Sequence, residues 1–94
     1  MAKLTQEELW EMIGFIKISP ARYKTIKTLE GEYLMPSEIA RKTGMQTTQV
    51  SNALYDLKRK KLVVCLNEKS HKGRIYQNTP LAIEILNMLE NKQS

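Results

Sequence analysis

The sequence predicts a small, mostly α domain of the α+β class, with five helices and two short strands in the order α-α-α-α-β-β-α. Three observations predict it. The chain has 94 residues, 41% of them apolar, which suffices for one core and one domain spanning 1–94. Apolar residues recur at helical spacing in five stretches. Ser19-Pro20, Met35-Pro36 and Thr79-Pro80 open three of them, and Gly31 and Gly44 close two. A short, β-branched apolar run, Leu62 to Leu66, is followed by a polar turn and a second short extended stretch.

The first helix should begin at Thr5. Thr5 and Glu8 can form a capping box, with Leu4 and Leu9 as its hydrophobic staple. Leu9, Met12, Ile13 and Ile16 then share one face. The second helix should start at Ser19, with Ile18 and Tyr23 as staple, bury Tyr23, Ile26 and Leu29, and stop at Gly31. The third should run from Pro36 to Thr43 with Ile39 and Ala40 inward. The fourth should follow Gln46 with Val50, Ala53, Leu54 and Leu57 as its core face. Its basic end, Lys58 to Lys61, suits the negative C-terminal dipole. Leu62–Leu66 and Arg74–Asn78 should pair as an antiparallel hairpin around Gly73. The fifth helix should run from Pro80 to about Glu90 with Ala82, Ile85, Leu86 and Leu89 inward.

Several function classes are excluded. There is no apolar run of 18, so no membrane span is expected, and the polar, acidic start is unlike a secretory signal. Cys65 is the only cysteine and His71 the only histidine, which leaves no disulfide framework and no Cys/His metal cluster. No paired acid and base and no Gly-rich phosphate loop is present. The expectation is a cytoplasmic protein that is not an enzyme and uses no cofactor or metal. Cys65 should be a small buried side chain, with a redox switch as the unsupported alternative.

The charge is unevenly placed. The net charge is +5, yet residues 58–74 alone hold seven basic groups and one acidic group. Such a patch is the footprint of a polyanion partner, whereas a merely solubilising surface mixes both signs. Ala40, Gly44 and Val50 also keep the spacing of a helix-turn-helix. Ala40 lets the fourth helix cross the third closely, Gly44 takes a left-handed turn, and Val50 fills the angle between them.

With these residues in place, the stretch SPARYKTIKTLEGEYLMPSEIARKTGMQTTQVSNALYDLKRKKLVV resembles a prokaryotic winged helix-turn-helix transcription regulator of the MarR-like and ArsR-like kind. NEKSHKGRIYQNTPLAIEIL resembles the wing and the helix after it, so the likeness spans roughly residues 18 to 89. It implies a winged fold with a two-stranded wing, double-stranded DNA as partner and a homodimer on the nucleoid. The fourth helix, about 47–60, would enter the major groove and the wing, 67–74, would lie on the backbone. Two positions depart from the family pattern. Lys61 stands where a glycine is common, and Ser70-His71-Lys72 replaces the usual acidic residue of the wing.

At 100° per residue, Thr48, Asn52, Tyr55 and Arg59 lie opposite the core face of the fourth helix, flanked by Thr47 and Ser51. Thr47, Thr48, Ser51 and Asn52 are the expected base contacts, and Asn can grip adenine bidentately. Tyr55, Arg59, Lys69, Lys72 and Arg74 are the expected backbone contacts. The plain alternatives are a solvated polar face for the first set and an ion pair within the hairpin for Arg74. Lys58, Lys60 and Lys61 read more simply as helix-end charge, and His71 as an exposed turn residue.

The two ends suggest a dimer interface. On the fifth helix Leu81, Ile83 and Met88 widen the apolar arc beyond the roughly 100° one-sided packing needs. On the first, Trp10 and Gly14 face away from its core side, the alternative being that Trp10 folds back on the fifth helix. Two other functions compete: a winged-helix module for protein interaction, and a chromatin-like DNA binder of low specificity. No small-molecule effector can be named from the residues.

Overall fold

The computed structural model describes residues 4–90. Five helices and three strands follow in the order α1 (Gln6–Lys17), α2 (Pro20–Thr28), β1 (Tyr33–Leu34), α3 (Pro36–Thr43), α4 (Thr47–Arg59), β2 (Val63–Cys65), β3 (Tyr76–Asn78) and α5 (Pro80–Leu89). This is a winged helix-turn-helix, mostly helical with one small antiparallel sheet.

The helix starts form as the sequence predicts. Thr5 Oγ1 accepts from Glu8 N at 3.1 Å, and Glu8 Oε1 accepts from Thr5 N at 2.8 Å, completing the capping box of α1. Ser19 caps α2 and Thr79 caps α5, each ahead of a proline whose missing N–H costs nothing there. The hydroxyl of Thr79 also donates to Lys61 O at 2.8 Å, which pins the start of α5 to the link between α4 and β2. The staple foreseen for α2 does not bury Ile18, which is 77% exposed.

Ile16, Ile26, Leu29, Ile39, Val50, Leu54, Leu57, Leu62, Ile85 and Leu86 form the centre of the core, so every helix contributes to one apolar interior. Burying each such side chain is worth about 1.5–3 kcal/mol. Arg22 locks the outer layer. Its guanidinium stacks 3.9 Å from the Phe15 ring centroid, donates to Phe15 O at 2.9 Å, and pairs with Asp56 on α4 at 3.3 Å.

The sheet differs from the expected two strands. Its order is β1-β3-β2, so the second hairpin strand is central and Tyr33–Leu34 adds a third. Tyr33 pairs with Gln77, and Leu34 with Tyr76. Two residues cannot display a period of two, which is why the segment reads as a plain link between glycine and proline. The hairpin strands are also shorter than predicted. Val63 to Cys65 pair with Asn78 to Tyr76, and Arg74 and Ile75 lie before the start of β3. Asn78 Nδ2 donates to Ile26 O at 2.8 Å and fastens the sheet to α2.

Lys61 has φ 62°, the only non-glycine in the left-handed region among the described residues. It is the position where the resembled family carries glycine. An L side chain there costs ~1–2 kcal/mol, partly offset by the ~0.5–1 kcal/mol entropic disadvantage of glycine. Lys61→Gly is therefore expected to raise the thermal midpoint by a few degrees, read by circular dichroism. No helix among the described residues is long and apolar enough to cross a membrane.

Candidate nucleic-acid interface

The helix-turn-helix is built by local chemistry. Gly44 ends α3 at φ 78°, ψ 4°, and its N–H donates to Ala40 O at 2.9 Å. A residue with a β-carbon would be strained in that conformation. Thr43 stitches the turn from both sides: its hydroxyl donates to Ile39 O at 2.7 Å and accepts from Met45 N at 3.2 Å. Sequence reading passed over Thr43, although a hydroxyl one residue before a capping glycine is a turn signal. Gln49 Oε1 accepts from Gln46 N at 3.1 Å and satisfies a free donor at the start of α4. Val50 is fully buried in the angle between the helices.

This geometry splits α4 into two faces. Val50, Ala53, Leu54 and Leu57 are buried. Thr47, Thr48, Ser51, Asn52, Tyr55 and Arg59 are all exposed. Tyr55 is 65% exposed, and the Arg59 guanidinium lies 5.8 Å from its ring centroid, so the two form one stacked cationic end. The outward face thus runs from small polar groups at the N-terminal turns to an aromatic and a cation one turn later.

The wing adds Lys69, Lys72 and Arg74, all exposed. No carboxylate among the described residues lies within ion-pair distance of Arg74; its Nε donates to Ser70 O at 2.9 Å across the turn. Lys58 behaves differently from a free helix-end charge, because it pairs with Glu68 of the wing. The hydrogen bond from Lys58 holds the Glu68 carboxyl below its usual range and raises the lysine. Glu68 therefore neutralises one cation of the stretch and ties wing to helix. Lys60 sits 5.7 Å from the Phe15 ring centroid, turned toward the protein. His71 is exposed, and Cys65 is buried with its thiol 3.6 Å from Asn67 Oδ1. Among the described residues no group of three or more His, Cys, Asp or Glu gathers to hold a metal.

The surface named from the two ends is partly apolar. Trp10 is 65% exposed, so most of its ring stays off its own α5. A β-carbon at Gly14 would meet nothing within 4 Å. Ile83 and Met88 are each 46% exposed, whereas Leu81 is half-buried against the core. Exposed Glu84 and Asn87 lie between Ile83 and Met88 around the helix, so the apolar arc of α5 is two edges flanking a polar stripe. At its end α5 is held to α2. Glu90 accepts from Tyr23 Oη at 2.6 Å and pairs with Lys27 at 2.9 Å. The bond to Glu90 is the main cause of the raised Tyr23 and Lys27 pKa values.

No protein-family model and no curated protein matches the sequence. Solved structures do match. TubR of Bacillus thuringiensis serovar israelensis, bound to 24 bp of tubC, is 14% identical, with a TM-score of 0.77 over 99% of this chain and 100% of that one. A homodimeric winged helix-turn-helix DNA-binding domain from Mycobacterium bovis is 19% identical, with a TM-score of 0.70 over 99% of this chain and 93% of that one. The Zalpha domain of PKZ from Carassius auratus, in complex with Z-DNA, is 25% identical, with a TM-score of 0.55 over 63% of this chain and 92% of that one.

Proposed function

We propose that this winged helix-turn-helix is a transcription regulator that binds double-stranded DNA in a sequence-specific manner, as a homodimer, on the chromosome in the cytoplasm. The observation that carries the reading is the outward face of α4. Thr47, Thr48, Ser51 and Asn52 are exposed on its first two turns, followed by Tyr55 and Arg59 and by the cations of the adjacent wing. In this reading the first four contact base edges in the major groove. Tyr55, Arg59, Lys69, Lys72 and Arg74 contact sugar and phosphate, and so fix register and orientation. Trp10, Gly14, Ile83 and Met88 meet a second copy, with Leu81 at the margin of that contact. Two neighbours of the same fold were solved on nucleic acid, and a third is homodimeric, which supports the reading.

A specific observation favours a second reading as a protein-interaction module. The outer face of the sheet exposes Tyr33, Val64 and Leu66 around Gln77. Scattered apolar residues on a small domain are ordinary, so the concentrated charge of residues 58–74 outweighs this patch.

Titration of labelled duplex at two salt concentrations tests the proposal. Each phosphate neutralised lowers log K by about 0.9 per decade of salt. Four cations in each copy, Arg59, Lys69, Lys72 and Arg74, count twice in the dimer and predict a loss of affinity of roughly 10⁴-fold between 50 and 200 mM salt. Absence of binding at the lower salt favours the interaction module.

A further inference from the structure

We propose that Asn67 is the positioning residue of the wing, the side chain that folds the 67–74 loop back on itself and so presents Lys69 and Lys72 to the DNA backbone. The inference rests on the DNA-binding reading above and assigns a role to a residue outside the contact surface.

The hairpin loses its backbone ladder at the base of the wing. The last backbone rung runs from Leu66 N to Ile75 O at 2.8 Å. On the same pair, Ile75 N donates to the Asn67 side chain, Oδ1, at 2.7 Å. The other end of the same side chain, Nδ2, donates to Gly73 O at 3.1 Å. The Asn67 carbonyl accepts from Ser70 N at 2.9 Å. One residue therefore closes the loop at its start, its middle and its end. Asparagine suits this place because its amide carries both an acceptor and two donors.

The loop chemistry depends on that closure. Gly73 turns at φ 65°, and a β-carbon there would lie 3.5 Å from Met35 Sδ, so the returning chain runs close to the start of α3. Arg74 follows directly and spans back to Ser70 O. The Lys58–Glu68 pair then tethers the closed loop to α4. Without the Asn67 bonds the loop between Leu66 and Ile75 would spread its lysines over many orientations. The ordering needed to bring them to phosphates would then be lost from the affinity.

The test compares the salt dependence of duplex binding by wild type, Asn67→Ala, Lys72→Ala and the double variant, with far-UV circular dichroism of each. The expected result is that Asn67→Ala lowers the salt slope of the dimer by about 4 units, roughly 0.9 for each of its four wing lysines, with the helical signal unchanged. Lys72→Ala should have little further effect in the Asn67→Ala background, since coupled residues are not additive. Asn67→Ser, compatible with the turn but too short to reach both partners, gives the same readout where alanine prevents folding. A lower melting temperature with an unchanged slope and additive effects would reduce Asn67 to a stabilising residue and overturn the proposal. If wild type itself fails to bind duplex, the DNA reading falls instead. Exchange of the Ile75 amide then still tests the tether: protection unaltered in Asn67→Ala contradicts it.

Discussion

Replacing Ile83 by glutamate is expected to split the dimer and weaken binding to a two-half-site duplex by about 10²–10⁴-fold. The magnitude is the effective-concentration advantage that linking two binding modules provides. One recognition helix covers only a few base pairs. Two copies related by a two-fold axis place their helices in successive major grooves about 34 Å apart, so the second contact is nearly intramolecular. Ile83 is 46% exposed on α5, while its neighbour Ala82 and the next turn, Ile85 and Leu86, are buried. A glutamate at 83 therefore stays in solvent in the monomer and leaves the helix-turn-helix folded. In the dimer it places a charge against apolar surface, where desolvation opposes association. Trp10→Ala is the companion change on α1, since Trp10 presents the largest exposed apolar ring of the surface. Sedimentation equilibrium of wild type and both variants measures the effect. Wild type that stays monomeric at high micromolar concentration contradicts it.

The second large effect is a difference in kind between two substitutions. Asn52→Ala is expected to lower discrimination between the preferred site and random duplex by ~1–3 kcal/mol, the worth of a bidentate base contact. Lys72→Ala is expected to weaken all duplexes alike and reduce the salt slope by about one unit per protomer, two in the dimer. Both residues are exposed and outside the core, so neither change should alter folding. Competition titrations with specific and random duplex separate the two. Equal weakening of both by Asn52→Ala would move the reading face away from the first two turns of α4.

Much of the architecture is legible from local rules. Caps at Thr5, Ser19 and Thr79 and the left-handed Gly44 depend on neighbours three or four residues away, and the sequence displays such pairs directly. The polar and apolar faces of α4 follow from one period, and burial of Val50, Ala53, Leu54 and Leu57 agrees with it. What escapes is nonlocal. Tyr33–Leu34 becomes a strand only because β3 is available beside it, more than forty residues away in the chain. The Lys58–Glu68 pair requires the wing to fold back over the end of α4, so the charge pattern alone made Lys58 look unpartnered. Likewise Arg74 reads as a strand residue until the Asn67 side chain takes the place of a ladder rung. The exposed faces of α4 and the wing were legible as surfaces. Which molecule such a surface would meet is not encoded by any intramolecular period.

Selection of bound sequences from a random pool of duplex DNA tests the central claim most directly. Base contacts from Thr47, Thr48, Ser51 and Asn52, presented twice by a two-fold dimer, predict enrichment of an inverted repeat. Its half-site centres should lie about 10–10.5 bp apart, one helical turn. A pool that emerges without an enriched motif, or with no duplex retained at low salt, contradicts it.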